Sequence, residues 1–358
     1  MVILGSTGSI GKNALLIAEK FSLNVEVLVA GKQIDLLNQQ IEKYRPKIVV
    51  IADEIDRDRV LHNRVYFSGK GIIEALQESK SEIVVNALVG FSGLQPTLTA
   101  LKLGKKLALA NKESLVVAGK FLDKSRIQPI DSEHFGLWYL LSDRKVSKMT
   151  ITASGGAFRD WDIEKISSAK REDALKHPNW SMGNKITVDS ASMVNKLFEL
   201  LEAYWLFGVK EIDAFIEPKS IVHSVIDFVD GSSTLHIAET DMKLPIAFAL
   251  LGKVNEEILK PINLLEVGSL EFKEINIARY PLWSLKDELL KNPEKGLLLN
   301  SANDFAVNRF LKGYGNFGDI SEIILSVFDT FGDREINSLE SLFETHKEID
   351  SWLNLKYS

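Results

Sequence analysis

The sequence of 358 residues contains no cysteine. Disulfide bonds are therefore excluded, and so is every metal site that depends on thiolate ligands. Any metal ion bound by this chain must be held by oxygen or imidazole ligands. The lack of cysteine fits a cytoplasmic protein but does not prove one, since exported proteins can lack it as well.

Long apolar runs are also absent. The longest runs, such as residues 244–252, fall far short of the roughly 20 residues that a membrane-spanning helix needs. The N-terminus, from Met1 to Ser6, lacks the basic start and the long apolar stretch of a signal peptide. We therefore expect a cytoplasmic protein with no membrane partner.

The chain has fewer basic residues than acidic ones. The 43 Lys and Arg residues are outnumbered by 49 Asp and Glu residues, which gives a formal net charge of −6. Because nucleic-acid binding requires a basic face, we expect no nucleic-acid partner. A hydrophobic content of 45% is ordinary for a globular protein, and 358 residues suit two or three domains.

The first hundred or so residues alternate short β-branched runs with amphipathic stretches. The runs predict strands at Val2–Leu4, Val25–Ala30, Ile48–Ala52, Val65–Phe67, Ile83–Asn86 and Leu107–Ala110. The stretches between them predict helices at Ile10–Phe21, Ile34–Tyr44, Ile72–Glu78 and Leu94–Gly104. This alternation predicts a parallel sheet covered by helices, because strands buried on both faces carry few polar residues.

The chain changes character after about residue 118. One long amphipathic helix is predicted at about residues 190–207, and Asp230-Gly231 predicts a tight type I′ hairpin turn. We predict an α/β protein with an N-terminal Rossmann-like parallel-sheet domain, a central α+β domain and a C-terminal helical domain, clearest at Leu297–Phe310 and Ile320–Phe331. The predicted divisions are residues 1–118, 119–252, a linker at 253–281, and 282–358.

A glycine-rich loop, Gly5-Ser6-Thr7-Gly8-Ser9-Ile10-Gly11, lies between the first predicted strand and the first predicted helix. Glycines there permit a tight turn and a close approach to a pyrophosphate, which the N-terminus of the helix attracts. The spacing is GxxGxxG rather than GxGxxG, and an ordinary strand-to-helix turn could look similar. Its position at the head of a βαβ series favours a dinucleotide site.

The end of the second strand indicates which dinucleotide binds. NAD-dependent enzymes carry an Asp or Glu there, which takes the ribose 2′-hydroxyl. Here the strand ends Val29-Ala30-Gly31-Lys32-Gln33, without a carboxylate. Lys32 can pair with the 2′-phosphate of NADP, although a solvated surface lysine is the alternative. NADP is therefore preferred over NAD.

Two carboxylates stand two residues apart in Asp131-Ser132-Glu133-His134, which follows an extended run at 127–130. Residues two apart in an extended segment point to the same side, so Asp131 and Glu133 can converge on one cation. Carboxylates so close together are costly unless a cation or a proton lies between them. A solvated helix cap would give the same sequence, and this alternative stays open.

The long predicted helix offers a third candidate ligand. Opposite its apolar stripe lie Asn195, Glu199 and Glu202, with Lys196 beside them. A solvent-exposed polar face is one explanation of this pattern. The other is a phosphate site, because hydroxyl groups such as that of Ser190, an amide, a lysine and helix-terminal N–H groups together suit an anion.

Taken together, these motifs resemble the deoxyxylulose phosphate reductoisomerase family. The resemblance covers essentially the whole chain and rests on the order and spacing of seven motifs. They are Gly-Ser-Thr-Gly-Ser-Ile-Gly at 5–11, Ala-Asn-Lys-Glu-Ser at 110–114, Asp-Ser-Glu-His at 131–134, Ser-Gly-Gly-Ala-Phe-Arg at 154–159, His-Pro-Asn-Trp-Ser-Met-Gly at 177–183, Val-Asp-Ser-Ala-Ser-Met-Val-Asn-Lys at 188–196 and Glu-Pro-Lys-Ser-Ile-Val-His-Ser at 217–224. Ala157 replaces a Pro common in the family, and Leu197 replaces a Gly.

The resemblance implies a role for individual residues of a catalytic central domain and of the first domain. The implied metal ligands are Asp131, Glu133 and Glu199, and the implied catalytic residues are Lys112, Glu133 and His177. The implied substrate contacts are Lys112, Ser132, Glu133, Ser154, His177, Ser190, Asn195, Lys196 and Glu199. The implied cofactor contacts are Thr7, Gly8, Ser9, Ile10, Gly31, Lys32, Gln33, Asn111, Glu113 and Gly183. Trp180 resembles an aromatic residue on a mobile lid, His223 a histidine near the active site, and His134 is a possible supporting group.

The resemblance also implies an activity, namely the rearrangement and reduction of 1-deoxy-D-xylulose 5-phosphate to 2-C-methyl-D-erythritol 4-phosphate in the non-mevalonate route to isoprenoid precursors. The expected cofactors are NADPH and Mg²⁺ or Mn²⁺, since oxygen ligands suit these ions better than zinc. The ion is expected to polarise the substrate carbonyl, and retro-aldol cleavage with re-addition is expected to give a branched aldehyde that NADPH reduces. A homodimer is implied as well.

Two other functions share part of this pattern. A plain NADP-dependent dehydrogenase of a phosphorylated substrate needs no site of three carboxylates, so its turnover would resist a chelator. A non-catalytic NADP sensor would bind the cofactor without turnover. The cluster of Lys112, Glu133 and Lys196 argues against the sensor.

Overall fold

The computed structural model describes residues 1–357, and the chain forms two compact units. The first unit comprises Met1–Ser114, Leu122–Ser132 and Asp241–Leu259, and the second comprises Leu115–Phe121, Glu133–Thr240 and the residues from Lys260 onward. Residues 241–259, which the sequence pattern assigns to the central domain and the linker, group with the first unit. The predicted domain boundaries themselves stay a prediction.

A seven-stranded parallel sheet forms the centre of the first unit. Its strands are β1 (Val2–Leu4), β2 (Val27–Ala30), β3 (Ile48–Ile51), β4 (Val65–Phe67), β5 (Ile83–Asn86), β6 (Lys106–Leu109) and β7 (Ile127–Pro129). Their order is β4-β3-β2-β1-β5-β6-β7, and every neighbouring pair is parallel. The order reverses between β1 and β5, which is where doubly wound sheets bind nucleotides. The predicted Rossmann-like sheet is confirmed.

Helices cover this sheet because their apolar residues recur at helical spacing. In this part of the chain, the helices that lie wholly in the first unit are α1 (Ser9–Lys20), α2 (Ile34–Tyr44), α3 (Ser68–Glu78) and α4 (Leu94–Lys102), whereas α5 (Lys112–Ala118) and α6 (Ser132–Leu140) begin in the first unit and continue in the second. In α1 the residues Ala14, Leu15 and Ala18 are buried in the same core as Ile3 of β1. Burial of a leucine of this kind contributes about 1.5–3 kcal/mol, so the covering helices fix the position of the loops at the sheet edge.

A four-stranded sheet lies in the second unit. Its strands are β8 (Val146–Ala153), β9 (Ile212–Ile216), β10 (Val222–Phe228) and β11 (Ser233–Ile237), in the order β11-β10-β8-β9. β8 and β9 are parallel, whereas β10 is antiparallel to both of its neighbours. The predicted hairpin between β10 and β11 is confirmed, but the type I′ turn is wrong. Such a turn needs positive φ at both central residues, and Gly231 has it (φ +87°) whereas Asp230 does not.

The remaining chain is mainly helical. Its helices are α7 (Ile163–Ile166), α8 (Arg171–Ala174), α9 (Asn184–Ala191), α10 (Val194–Phe207), α11 (Lys243–Leu251), α12 (Leu264–Val267), α13 (Lys286–Lys291), α14 (Gly296–Leu311), α15 (Gly318–Phe331) and α16 (Leu339–Tyr357). α11 packs against α1 in the first unit, and α14 packs against α15 and α16 in the second. The predicted C-terminal helices are confirmed. Across residues 1–357, no helix has both the length and the apolar composition to traverse a bilayer.

The predicted single helix at 190–207 is wrong, because the chain forms two helices there. Met193, which lies between α9 and α10, has a left-handed backbone with φ +68°. A non-glycine residue rarely adopts this conformation, and a helix cannot continue through it. Ser190 therefore lies in the last turn of α9, whereas Asn195 and Lys196 lie in the first turn of α10.

Candidate active site

The glycine-rich loop lies at the C-terminal end of β1, at the point where the strand order reverses. Gly5 has φ +88°, and a Cβ added there would lie 2.6 Å from the carbonyl oxygen of Ala87. A Cβ added to Gly11 would lie 2.3 Å from the carbonyl oxygen of Gly5. The fold of the loop therefore requires both glycines. Because Gly8 has no side chain to cap α1, the first N–H groups of this helix suit an anionic ligand.

Gly31, Lys32 and Gln33 follow β2 and are exposed. β2 is the neighbour of β1, so these residues lie at the same edge of the sheet as the glycine-rich loop. Gln33 precedes the first residue of α2, and residues 31–33 offer a lysine and an amide but no carboxylate. This placement supports Lys32 as the partner of a 2′-phosphate, and its role stays a prediction.

The side chains of Asn111 and Glu113, which follow β6, are buried and hold the loop after β5. Asn111 Nδ2 donates to the carbonyl oxygens of Leu88 at 3.0 Å and Gly90 at 2.9 Å. The N–H of Gly90 donates to Glu113 Oε1 at 3.1 Å. Both residues were predicted to contact the cofactor, and the structure shows that their side chains fix the backbone of this edge loop.

Lys112 and Asp131 form an ion pair at the same edge. They follow β6 and β7, which are neighbouring parallel strands whose C-terminal ends meet. The predicted extended run through Asp131 to Glu133 is wrong, because β7 ends at Pro129 and Glu133 lies in the first turn of α6. Covalent connection alone still keeps the α carbons of Asp131 and Glu133 within about 7 Å.

In the second unit, the ammonium group of Lys196 lies between two carboxylates. Its Nζ is 2.8 Å from Glu133 Oε1, and it also donates to a carboxylate oxygen of Glu199 and to the carbonyl oxygen of Thr152. Lys196 is 3% exposed and Glu199 is 1% exposed, so a solvent-exposed face is excluded for both. Burial would lower the pKa of Lys196, but Glu133 and Glu199 raise it above its ordinary value, so the lysine stays charged.

This cluster fits a hard divalent cation. Glu133 and Glu199 both contact Lys196, so two carboxylates lie close together, and a bound cation stabilises such an arrangement. Asn195 donates a further hydrogen bond to Glu199 and so holds its carboxylate in place. With Asp131 two residues before Glu133, the available donors are carboxylate oxygens, which Mg²⁺ prefers.

The loop after β8 meets the end of α9. Gly156 has φ +66°, and a Cβ added there would lie 2.7 Å from the carbonyl oxygen of Ser190 and 2.8 Å from the nitrogen of Ala191. This close approach brings the loop of Ser154 against Ser190, and both side chains are half-buried. Two hydroxyl-bearing residues predicted to bind phosphate therefore come together. Leu197, one of the two departures from the family pattern, is buried in the core.

The segment that precedes α9 brings a histidine to this loop. His177 Nε2 lies 2.9 Å from Ser154 Oγ. Burial, and then the positive charge of Arg159, lower the pKa of His177 to about 4. The ring of Trp180 lies 6.3 Å from the ring of His223, edge to face. Gly183, predicted to contact the cofactor, is exposed and precedes α9.

Two residues that were not predicted hold the Ser154 loop in place. Arg159 Nη1 donates to the carbonyl oxygens of Ser154 and Pro218, each at 3.0 Å. The hydroxyl of Tyr280 donates to the carbonyl oxygen of Gly155 at 2.8 Å. Arg159 closes the motif at 154–159 and could have been inferred from it. Tyr280 lies 125 residues from its partner, and no local pattern signals that contact.

Comparison with known proteins agrees with this geometry. Sequence models described as 1-deoxy-D-xylulose 5-phosphate reductoisomerase, and as two C-terminal domains of that enzyme, match residues 1–119, 127–207 and 237–352. A protein of Nautilia profundicola named 1-deoxy-D-xylulose 5-phosphate reductoisomerase is 54% identical over 360 residues, which cover 98% of each chain. The chain belongs to this family.

Other members of the reductoisomerase family are similar over the whole length. A Helicobacter pylori protein of the same name is 48% identical over 359 residues and 98% of each chain. A crystal structure of DOX-P reductoisomerase in complex with NADPH, fosmidomycin and magnesium has a TM-score of 0.91 and 33% identity, covering 99% of this chain and 97% of that one. The Zymomonas mobilis reductoisomerase in complex with NADPH has a TM-score of 0.88 and 29% identity, covering 100% of this chain and 98% of that one.

Membership of the reductoisomerase family confirms the resemblance that the seven motifs predict, and it confirms the predicted fold class. The roles of individual residues stay predictions. The structure nevertheless brings several of them together within each unit. Thr7 to Ile10 and Lys32 share one sheet edge in the first unit, and Glu133, Lys196 and Glu199 form one cluster in the second.

Proposed function

We propose that this chain converts 1-deoxy-D-xylulose 5-phosphate to 2-C-methyl-D-erythritol 4-phosphate, with NADPH as the reductant and Mg²⁺ as the metal ion. The observation that carries this proposal is the buried cluster in which Lys196 contacts both Glu133 and Glu199. A plain dehydrogenase has no need for such a cluster, since hydride transfer from NADPH requires no ion. A cofactor sensor has no need for it either.

Asp131, Glu133 and Glu199 would hold the ion. When bound, a divalent ion of this kind polarises a carbonyl group and makes a neighbouring hydroxyl more acidic. Lys112 forms an ion pair with Asp131. Ser132, the first residue of α6, lies between Asp131 and Glu133 in the sequence. We assign Lys112 and Ser132 to the reacting end of the substrate.

Ser154, Ser190, Asn195 and Lys196 would bind the substrate phosphate. Hydroxyl groups, an amide and an ammonium group are donors that suit an acceptor-only ligand. The phosphate does not react, so the energy of binding it is available to orient the reacting carbons. The contact of Lys196 with Glu133 and Glu199 would set the phosphate next to the ion-binding carboxylates.

The first unit would bind NADPH along the C-terminal edge of its sheet. The N–H groups at the start of α1, from Thr7 to Ile10, suit the pyrophosphate. Gly31, Lys32 and Gln33 would take the 2′-phosphate, while Asn111 and Glu113 keep the loop at Leu88–Gly90 in shape. Trp180 and Gly183 would belong to a segment that closes over bound ligands.

One assay tests the proposed function. Purified protein is mixed with 1-deoxy-D-xylulose 5-phosphate, NADPH and Mg²⁺, and oxidation of the nicotinamide is followed with and without a chelator. We expect turnover that the chelator abolishes and that added Mg²⁺ restores. Turnover that resists the chelator would favour a plain dehydrogenase, and NADPH binding without any turnover would favour a sensor.

We further propose that Mn²⁺ can replace Mg²⁺, that the protein is cytoplasmic, and that two copies form a homodimer. Support for the ion comes from the carboxylate donors, which Mn²⁺ also accepts. Support for the dimer and for the compartment comes from family resemblance. Light scattering of the purified protein tests the dimer, since a mass of 40.0 kDa would mark a monomer. Fractionation of cells that produce the protein tests the compartment.

A further inference from the structure

A glutamine interrupts the buried face of α2 in the first unit. Ile34, Leu37 and Ile41 pack into the core of this unit, and Gln40, which is buried with them, is only 5% exposed. A polar side chain is costly at such a position unless it has hydrogen-bond partners. Gln40 therefore requires an explanation that apolar packing does not supply.

The amide of Gln40 reaches the glycine-rich loop. Its Nε2 donates to the backbone carbonyl oxygen of Ser6 at 2.9 Å, although the two residues are 34 apart in the sequence. Ser6 is fully buried, and its own N–H donates to the carbonyl oxygen of Val29 at 2.8 Å. The peptide groups on both sides of Ser6 are thus held, one by β2 and the other by α2.

The contact between Gln40 and Ser6 sets the direction of the next N–H group. The Ser6–Thr7 peptide bond is trans and planar, so the carbonyl of Ser6 and the N–H of Thr7 point in opposite directions. The carbonyl points to a buried amide of α2, and the N–H of Thr7 therefore points away from that amide. Within residues 1–357 this N–H has no backbone acceptor. It is one of the donors that we assign to the cofactor pyrophosphate.

The amide of Gln40 adds little to stability, because only one of its two polar atoms has a partner. The other atom, Oε1, has no hydrogen-bond partner within residues 1–357. A buried acceptor without a partner costs at least as much free energy as one neutral hydrogen bond contributes. An apolar side chain at this position would avoid that cost. Orientation of the loop therefore explains the glutamine better than stabilisation of the fold does.

We propose that Gln40 is a positioning residue for the cofactor: by holding the carbonyl of Ser6, it aims the N–H of Thr7 at the pyrophosphate. This inference rests on the proposed function, in which the glycine-rich loop binds NADPH. α2 begins directly after residues 31–33, which we assign to the 2′-phosphate. The same helix therefore fixes the two phosphate sites of the cofactor relative to each other.

Two substitutions, Gln40→Met and Gln40→Leu, remove the donor and keep an apolar side chain of similar size. Gln39→Met is the matched control, because Gln39 is exposed on the same helix. Without a donor, the carbonyl of Ser6 can turn towards another partner, and the N–H of Thr7 turns with it because the peptide group is rigid. The measurements are the dissociation constants of NADPH, NADH and adenosine 2′-monophosphate by calorimetry, the midpoint of thermal unfolding, and the steady-state kinetics.

We expect both Gln40 variants to bind NADPH and NADH about tenfold more weakly, which corresponds to one charge-assisted hydrogen bond. Adenosine 2′-monophosphate has no pyrophosphate, so its dissociation constant should stay the same. We expect kcat at saturating NADPH and the KM for 1-deoxy-D-xylulose 5-phosphate to change less than about twofold, since only cofactor binding is affected. The unfolding midpoint should shift by no more than about 4 °C.

Unchanged NADPH binding in both variants would overturn the inference. An equal weakening of adenosine 2′-monophosphate, or a much larger fall of the unfolding midpoint than in Gln39→Met, would overturn it as well, because Gln40 would then only support the fold. A failure of the proposed function is seen in the unmodified protein instead. If that protein binds NADPH but does not convert the sugar phosphate, the proposed function fails, and the three dissociation constants still test Gln40. If it binds no NADPH, both proposals fail.

Discussion

The imidazole Nε2 of His134 lies 2.8 Å from the backbone carbonyl oxygen of Glu199. A carbonyl oxygen only accepts, so Nε2 carries a proton and donates it. Nδ1 of the same ring lies 3.5 Å from Glu202 Oε2, and both side chains are fully buried. The backbone of Glu199 is therefore held by a contact that does not involve its own carboxylate, so the charge of that carboxylate can be changed without releasing the helix.

We predict that Glu199→Gln will raise the Mg²⁺ concentration needed for activity while leaving NADPH affinity unchanged. The substitution keeps the size and polarity of the side chain but removes one ligand charge, and removal of a strong charged contact costs roughly 1.5–3 kcal/mol, or about tenfold to a hundredfold. Activity is measured across a Mg²⁺ titration. Glu211→Gln, an exposed change in the same unit, is the control. Superimposable titration curves for Glu199→Gln and the unmodified protein would contradict the ligand role.

The exposed Lys32 is predicted to bind the 2′-phosphate of the cofactor. Lys32→Glu should weaken NADPH binding roughly tenfold or more and leave NADH binding nearly unchanged, because one charge-assisted contact is lost and a repulsion is gained. Lys106→Glu is a matched control, since Lys106 is also exposed but starts β6 at the opposite edge of the sheet. Equal weakening of NADPH and NADH by Lys32→Glu would remove Lys32 from the 2′-phosphate site.

Trp180→Ala is expected to slow turnover while NADPH affinity stays the same. The aromatic contact with His223 would be lost, and such a contact is worth about 0.5–1.5 kcal/mol, or roughly two- to tenfold in rate. Trp180→Phe keeps a ring and serves as the conservative variant. Steady-state kinetics decide the matter, and unchanged kinetics in Trp180→Ala would mean that the segment does not act as a lid.

Stability at low pH should depend on Glu26, which is buried at the opposite end of the parallel sheet from the cofactor edge. Burial opposes ionisation, but hydrogen bonds from Ser81, Ser79 and Lys47 outweigh it and lower the pKa of Glu26 to about 2. Because this pKa lies below the ordinary value, ionised Glu26 stabilises the fold above about pH 4.5 and the contribution is lost as the pH falls towards 2.

The corresponding variant is Glu26→Gln, with the exposed Glu42→Gln as the control. At pH 7 we expect the free energy of unfolding of Glu26→Gln to be on the order of 2–3 kcal/mol below that of the unmodified protein. Between pH 5 and 2 we expect the free energy of unfolding of the variant to fall less than that of the unmodified protein. Urea unfolding at several pH values measures both quantities. A pH dependence identical to that of the unmodified protein would show that Glu26 is not the responsible group.

Local patterns predicted the first unit well. The strands at Val2–Leu4, Val65–Phe67 and Ile83–Asn86 have the predicted bounds, since each is a short β-branched run that ends at a turn or a helix. The glycine-rich loop was interpretable because Gly5 and Gly11 are required by close backbone contacts between near neighbours in sequence. Structure that depends on nearby residues is visible in the sequence.

The second unit was predicted less well, because its decisive contacts join distant residues. The left-handed backbone of Met193 is a rare conformation for methionine, and no local signal marks it. Glu199 was compatible with a solvent face until the structure placed it in a buried cluster with Glu133, 66 residues earlier in the chain. The contact of His177 with Ser154 joins residues 23 apart in the sequence, and no local pattern predicts it either.

The position of Lys196 between two carboxylates also has a thermodynamic consequence. A cation bound by Glu133 and Glu199 would compete with the ammonium group for their charge, and it would thereby leave Lys196 more available to a phosphate. We therefore predict that the two ligands bind cooperatively, and linkage requires that each tighten the other by the same factor, on the order of 5–150-fold. Calorimetric titration of inorganic phosphate with and without Mg²⁺, corrected for their association in solution, would give that factor. A factor of one would mean that the lysine serves only to balance charge.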